Sequence, residues 1–482
     1  MYPNDGQAAP RSLTLFFALS LGLLCFLCLL PAPTQAQRGK PLMLEFPTNL
    51  YGDNIQHLAC DTDGLCVFYS KDQEDSSFFH LLYYDRNFQL QHHLQYALSS
   101  ELNLEAAAYG DKTIYFLFQN KIKKKRSDQG LLVRFDCAKR QTDSVSVNGL
   151  PSDGVHRMKA SRSLILFSSI SNGKRSNLYY LHAGSTLAIG LSIPDAISYE
   201  IEDFGLDTTR HHVLAALKST PNNSTLIWLC ETDYDRNIQH VTELPDTLQF
   251  RCESIRLALT DSGRWFLAGT YENLTNHVVE GVYTLPYHDG TFDSLRQHQY
   301  SAASIITNNN SPFLHTGGKI IPHGDRLAFI TETVSPEYRD RPVYYYGVMT
   351  YEYSFTGYRY ASSDVFVFDT TGQEEWYYNF HYEDILSQQV GSYLNLSFIG
   401  DHYLLYYTRG NELVTMLTNA QDEIIDSKRS SSLFPNSSTS YSYDGTILKP
   451  WYGDYFLLSG QKYNAKSSRS NATYFIHKLW YH

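Results

Sequence analysis

Apolar runs of about four to six residues, each opened by a turn rich in Gly, Asp or Ser, recur along most of the chain, the pattern of short strands between tight turns. The clearest are "GDKTIYFLFQ" from Gly110, "GDRLAFITET" from Gly324, "GDHYLLYYT" from Gly400 and "GDYFLLSGQ" from Gly453. Looser versions begin at Asp61, Ser161, Asp207 and Asp261, which brings the number to eight. Most lie roughly 45 to 60 residues apart, a period typical of repeat architectures. A strand-like stretch precedes each run, as in "IQHLAC" or "SIRLAL", and another follows it, as in "GLLVRFD" or "DVFVFDT". Most units then add a turn and a short fourth strand. A four-stranded antiparallel meander repeated around an axis predicts an all-β fold, a β-propeller of eight blades, or seven if the unit around Asp207 forms none.

The last unit runs out at its third strand, "TYFIHKLW", while "PLMLEFP", Pro41 to Pro47, stands unused ahead of the first unit. An open ring would expose strand edges. The N-terminal strand is therefore expected to complete the last blade. The rival all-β fold is an outer-membrane barrel, which needs strands of about ten residues with an outward apolar band. The runs here read as shorter.

The phrase "DVFVFDTTGQEEW", Asp364 to Trp376, resembles the strand–turn–strand of quinoprotein-like β-propeller repeats. The resemblance implies that Asp369 and Gly372 shape the turn and that Trp376 docks on the neighbouring blade. The match is one residue shorter than the quinoprotein-enzyme pattern and occurs in one unit, and it implies no quinone cofactor. The C-terminal part, about Asp364 to His482, is also similar to uncharacterised secreted proteins of Bacteroidota, which lend no activity.

The N-terminus changes the expected compartment. Arg11 precedes the apolar run Ser12–Leu30, and "PAPTQA" follows with Thr34 and Ala36 at the −3 and −1 positions of a cleavage site. This is the layout of a secretory signal peptide over residues 1–36, with an uncleaved anchor as the alternative because the run is about as long as a minimal membrane span. Residues 37–482 are then expected to form one extracytoplasmic domain (secreted, periplasmic or at the cell surface), monomeric and without a membrane span. A formal charge of −11 argues against nucleic acid as a partner. Five cysteines follow the leader: Cys60, Cys66, Cys137, Cys230 and Cys252. Cys60 and Cys66 flank the turn "DTDGL" and are the favoured disulfide; Cys230 with Cys252 is a second possibility, leaving Cys137 free.

Catalytic and metal signatures such as HExxH, GxSxG or a phosphate-cradling GxxxxGK are missing from the sequence, so no cofactor and no metal are expected. Two surfaces remain. In a meander the loops joining second and third strands share one face, and several are basic: "NKIKKKRSDQ", "SNGKRSN" and "GQKYNAKSSRSN". Lys123, Lys124, Lys125, Arg126, Lys174, Arg175, Lys466 and Arg469 would attract an anionic partner there, although solvated loop lysines of this kind also occur without any ligand. The sixth unit carries an insertion at 331–363 in which Tyr344, Tyr346, Tyr353 and Tyr358 crowd with other tyrosines. Such residues suit binding of a glycan or protein, or alternatively pack as an extra hairpin on the ring. The expected function is a binding or scaffold module recognising a glycan, an anionic polymer or a protein through this loop face. The alternative is a glycan-active hydrolase or lyase with carboxylates in the central channel.

Overall fold

The second strand of every unit is apolar almost without interruption because both of its faces are covered. In Thr113–Ile122, Ile114, Phe116 and Phe118 point into one cluster, shared with Phe68 and Phe79 of the preceding sheet. Tyr115 and Leu117 point the other way, into a cluster with Ile165 and Phe167 of the following sheet. Alternation is therefore present, but it separates two apolar environments instead of core from water.

The structure is a computed structural model. It describes residues 42–48 and 55–480, apart from 74–75, 123–124, 172–174, 192–198, 220–225, 235–237, 245–249, 276–277, 289, 301–313, 347, 411, 434–440 and 465–471. Among the described residues are eight separate antiparallel sheets, which follow one another along the chain. Sheet one, for example, comprises Gln56–Cys60, Gly64–Gln73, Ser76–Tyr84 and Leu90–Leu98, paired in sequence order. The unit around Asp207 forms a four-stranded sheet, Glu200–Asp207, His212–Ser219, Leu226–Asp233 and Ile238–Glu243. Sheets five and six gain one or two extra short strands.

Apolar clusters join sheet one to two, two to three, and so on to seven and eight. A final cluster joins sheet eight back to one through Phe46, Leu457, Ile476, Val67 and Tyr84. This closed circuit of sheets is a β-propeller. Leu42–Pro47 pairs antiparallel with Thr473–Trp480, from Leu42↔Lys478 to Pro47↔Thr473, so the N-terminal strand completes the last sheet. Trp451 adds a stitch across the same seam, its indole N–H donating to the Gly64 carbonyl (3.1 Å).

The turn residues behave as the sequence suggests. Asp369 Oδ1 accepts from the backbone N–H groups of Thr371 (2.8 Å) and Gln373 (2.9 Å), and Gly372 has φ +78°. Trp376 is buried, stacks near Tyr403 of sheet seven (4.7 Å) and donates to Asp422 Oδ1 (2.7 Å). Asp85 and Asn419 cap the equivalent turns of sheets one and seven in the same way.

Two expectations are corrected. Many strands run eight to ten residues, because backbone pairing continues through polar residues such as Ser70–Gln73 beyond the apolar run. All five described cysteines are free and buried. In the first hairpin Cys60 faces Gly64 and Cys66 faces Leu58. The two thiols are thus diagonal rather than directly opposed, an arrangement that does not bring them into disulfide geometry. Cys230 lies between sheets three and four, whereas Cys252 lies between four and five, so the interior of sheet four separates them.

If ring closure holds the fold, Phe46→Ala should cost about 3–5 kcal/mol in denaturant unfolding, the usual loss for a buried phenylalanine. Glu45→Ala, which removes the partly exposed pair with Lys462 (2.7 Å), should cost less than about 1 kcal/mol. Equal effects would show that the seam is not a packed interface.

Candidate functional site

A meander alternates direction, so each first strand begins at the face where the hairpin between strands two and three emerges. A ribbon projects from sheet six at that face, and a central cavity runs along the axis.

The insertion does form a hairpin, but most of it leaves the ring. Arg326–Tyr345 and Val348–Phe368 pair along their whole length, and the outer part, from about Tyr338 to Phe355, is a two-stranded ribbon. Register sorts its side chains. Tyr338↔Phe355, Asp340↔Tyr353, Pro342↔Tyr351 and Tyr344↔Met349 share one face. Arg339↔Ser354, Arg341↔Glu352, Val343↔Thr350 and Tyr345↔Val348 share the other. The first face is a continuous aromatic and apolar strip, the second mostly polar. Strips of the first kind are normally buried on a core; here Tyr344, Tyr351 and Tyr353 are 73%, 64% and 71% exposed, and Tyr346 at the tip is 99% exposed. Tyr338 and Tyr353 stack with centroids 5.0 Å apart.

Only the base of the ribbon packs on the ring. Tyr358 is half-buried, and Tyr360 is buried against Tyr382 and Tyr393. Arg359 clamps the base through Glu337 (2.5 Å) and Asp384 (2.8 Å).

Of the basic loop residues, Lys123, Lys124, Lys174, Lys466 and Arg469 lie outside the described residues. Lys125 and Arg126 open the third strand of sheet two and are exposed, but Arg126 folds back onto Glu105 (3.0 Å). Arg175 opens the strand Arg175–His182, opposite Ser171.

The cavity has a volume of about 790 Å³ and is walled by the first strands of sheets one to six. Its basic groups escaped the sequence reading: Lys159 from sheet three, Arg256 from sheet five and Lys319 from sheet six, with Arg157 two residues before Lys159 on the same strand. By register Arg157, Arg256 and Lys319 stand opposite Ser168, Ala268 and Ile330, partway along the second strands of their sheets. The signal was a lone cation within otherwise apolar first strands ("SIRLAL", "GGKII"), which reads as an ordinary exposed position until those strands are known to line an axis.

These cations also tie neighbouring sheets together. Arg157 donates to the carbonyls of Ile201 and Glu202 (both 3.1 Å), and Lys159 to that of Phe204. Arg256 donates to Gly318 O (3.1 Å) and pairs with Glu202 (3.3 Å); Lys319 reaches Asn395 Oδ1 (2.5 Å). Burial pulls the ammonium groups of Lys159 and Lys319 below their usual range. Glu202 and Asp203 pair with them, Glu332 lies near Lys319, and Asp111 also lines the cavity. Asp203 accepts from the Leu257 and Phe204 N–H groups (3.0 and 2.9 Å), with Arg157 and Lys159 at 3.7 and 3.8 Å. Glu202 is held by Arg256. Glu202 and Asp203 are thus neutralised in place, unlike the free acid and base that glycoside hydrolysis uses.

No protein-family model matches the chain, and no curated protein matches its sequence. The quinoprotein and Bacteroidota resemblances therefore gain no family-level match. Solved structures similar to this chain include the polysaccharide lyase Uly1, at 6% identity and a TM-score of 0.45, covering 79% of this chain and 90% of the lyase. The β-propeller domain of the trilobed protease from Pyrococcus furiosus is similar at 6% identity and 0.38, covering 78% and 98%. A prolyl endopeptidase is similar at 9% and 0.38, covering 96% of this chain and 61% of its own. At such scores the fold assignment stands on this chain's own sheet order and clusters.

Between ribbon and cavity sits Glu332, 1% exposed in the strand that becomes the ribbon. Its Oε1 accepts from the Tyr382 hydroxyl and from the Tyr393 (2.8 Å) and Leu394 (2.6 Å) N–H groups. Burial outweighs these bonds and the nearby Lys319, and pushes the carboxyl up to about 7 from 4.5. The folded state therefore holds this proton more tightly than the unfolded chain. Its stabilising contribution is full below pH 4.5 and is lost as pH rises through about 7, a change of roughly 3 kcal/mol. Urea unfolding at pH 5 and pH 8 should show Glu332→Gln gaining on the parent as pH rises. A constant difference between the two proteins would contradict the assignment.

Proposed function

We propose that the protein is a secreted β-propeller, its eight sheets each forming one blade, that binds extended carbohydrate chains along the aromatic face of its projecting ribbon. The observation that carries this reading is the unburied strip Tyr338, Phe355, Tyr353, Tyr351, Tyr344 and Met349 on one face of a two-stranded ribbon. An isolated ribbon is marginal in water, and a hydrophobic face on it has no structural use of its own. Rings on one strand recur at every second residue, about 6.8 Å apart, a rigid amphipathic platform that holds flat sugar faces at low entropic cost.

The size of the strip argues against a protein partner as its occupant. It is roughly 25–30 Å long and about 10 Å wide. That is on the order of 300 Å², against about 800 Å² per partner in a stable protein interface. A second copy of the chain is undersupplied for the same reason. Asp340 is the one charged residue on the strip, so the platform suits uncharged sugar rings. The leader at residues 1–36 supports an extracytoplasmic setting where such polymers occur. The paired state of Glu202 and Asp203 supports a binding module over a hydrolase.

Affinity electrophoresis of the mature protein through gels containing neutral β-glucans or xylans tests the proposal. Retardation of the parent and a roughly ten-fold or greater loss in the Tyr351→Ala/Tyr353→Ala double variant are expected, at unchanged melting temperature because both rings are exposed. Equal retardation of parent and variant, or none for the parent on any neutral glycan, would overturn it.

A further inference from the structure

Three of the five cysteines meet in one place. Cys60, Cys66 and Cys137 lie buried in the apolar cluster between sheets one and two, while Cys230 and Cys252 sit in other clusters. The structure holds all of them as thiols. We propose that Cys60 and Cys137 form a disulfide that staples sheet one to sheet two once the chain meets a disulfide oxidant, and that Cys66 stays reduced. The presence of the oxidant rests on the extracytoplasmic reading of the leader; the choice of partners rests on the residues themselves.

Backbone and side-chain bonds fix the meeting point. Cys60 ends the first strand of sheet one, and its carbonyl accepts from the Asp63 N–H across the turn (2.8 Å). The Asp63 carbonyl accepts from the Tyr83 hydroxyl (2.8 Å), and the Tyr83 ring lies 5.3 Å from that of Phe135 in sheet two. Cys137 is two residues beyond Phe135, and alternation turns both side chains toward sheet one. Its N–H is tied to the Lys112 carbonyl (2.9 Å). Tyr109 of sheet two completes the group by donating to Asp63 Oδ2 (2.7 Å). A turn of sheet one and a strand end of sheet two are thus locked together around the thiols.

The surroundings of each thiol select the pair. The Cys137 thiol is the hydrogen-bond neighbour of the Cys60 thiol, and its effect on Cys66 is electrostatic. Cys66 stands within the ladder, opposite Leu58 on one side and Tyr83 on the other, whereas Cys60 is the last residue of its strand. Burial, and after it the neighbouring Cys137, raise the Cys60 thiol well above its usual range, and burial does the same to Cys66. Thiolate is the attacking species in exchange, so the bond forms during folding, before the ring seals. The Cys137 thiolate attacks one sulfur of the donor disulfide and expels the other as thiolate. The Cys60 thiolate then attacks the Cys137 sulfur and expels the remaining donor sulfur. One Sγ–Sγ bond forms, the donor's bond breaks, and the donor leaves as two thiols carrying the two electrons and two protons. The closed loop runs through the rest of sheet one and three strands of sheet two, so the bond removes much freedom from the unfolded chain.

In the test, the mature protein is unfolded under reducing conditions and refolded with oxidised and reduced glutathione, which supplies the oxidant directly. Remaining thiols are alkylated in denaturant. Cleavage before aspartate then places Cys60, Cys66 and Cys137 in separate peptides, 53–60, 63–71 and 136–142. Peptide 53–60 joined to 136–142, with Cys66 alkylated, is the expected result, and the same link should persist in Cys66→Ser. Alkylation of all three, or a link that includes Cys66, overturns the proposal. Reductant should lower the melting temperature of the oxidised parent by about 3 °C or more and leave that of Cys137→Ser unchanged. A parent whose melting is indifferent to reductant has no staple between its sheets, which also overturns it. Should Cys137→Ser fail to fold, the peptide map of the parent decides alone. Protein exported through the leader and mapped without refolding tests the compartment separately. Free thiols there would overturn the extracytoplasmic setting, while a link formed in glutathione continues to support the pairing.

Discussion

Two-sided burial of the sheets is the constraint on which the molecule depends. A sheet such as Thr113–Ile122 with its partners presents Phe116 to one neighbour and Tyr115 to the other, so none of the eight can be satisfied alone or at an open end. The chain answers by returning its first strand to its last sheet, where Phe46 enters the cluster that joins sheets eight and one. Closure of the ring is thus the condition for a core at all, because each cluster is built from two sheets.

The same closure creates the candidate sites. Around the axis it brings together first strands that are far apart in sequence, and with them Lys159, Arg256 and Lys319. At the rim it leaves the longest hairpin without a neighbour to lie on. Sheet six carries the ribbon outward, Lys319 inward, and Glu332 buried between the two.

How side chains divide between structure and function follows from what each one touches. Tyr360 and Tyr382 are core, packed edge-to-face at 5.9 Å beneath the ribbon. Tyr344, Tyr351 and Tyr353, a few residues away and chemically identical, meet solvent. The cations near the axis bridge sheets through backbone carbonyls and meet carboxylates there: Lys159 with Asp203 and Arg256 with Glu202.

By itself the sequence determined the all-β class, the turns at Asp369–Gly372, the docking of Trp376 and the partner of the N-terminal strand. The class and the turns follow from local periodicity and turn chemistry, which act over a few residues; the docking of Trp376 was implied by the quinoprotein-like resemblance, and the strand's partner by the last unit's missing strand. Strand ends were read too short because ladder hydrogen bonds ignore side-chain polarity, and the Cys60–Cys66 bridge was read from proximity in sequence when the pairing register makes the thiols diagonal. The tyrosine-rich insertion was visible as a composition, yet which of its rings are exposed depends on the absence of a surface beneath the ribbon. Only the tertiary structure could gather single cations from separate units around one axis, because nothing local in "SIRLAL" or "GGKII" records which strand of a sheet stands nearest the centre.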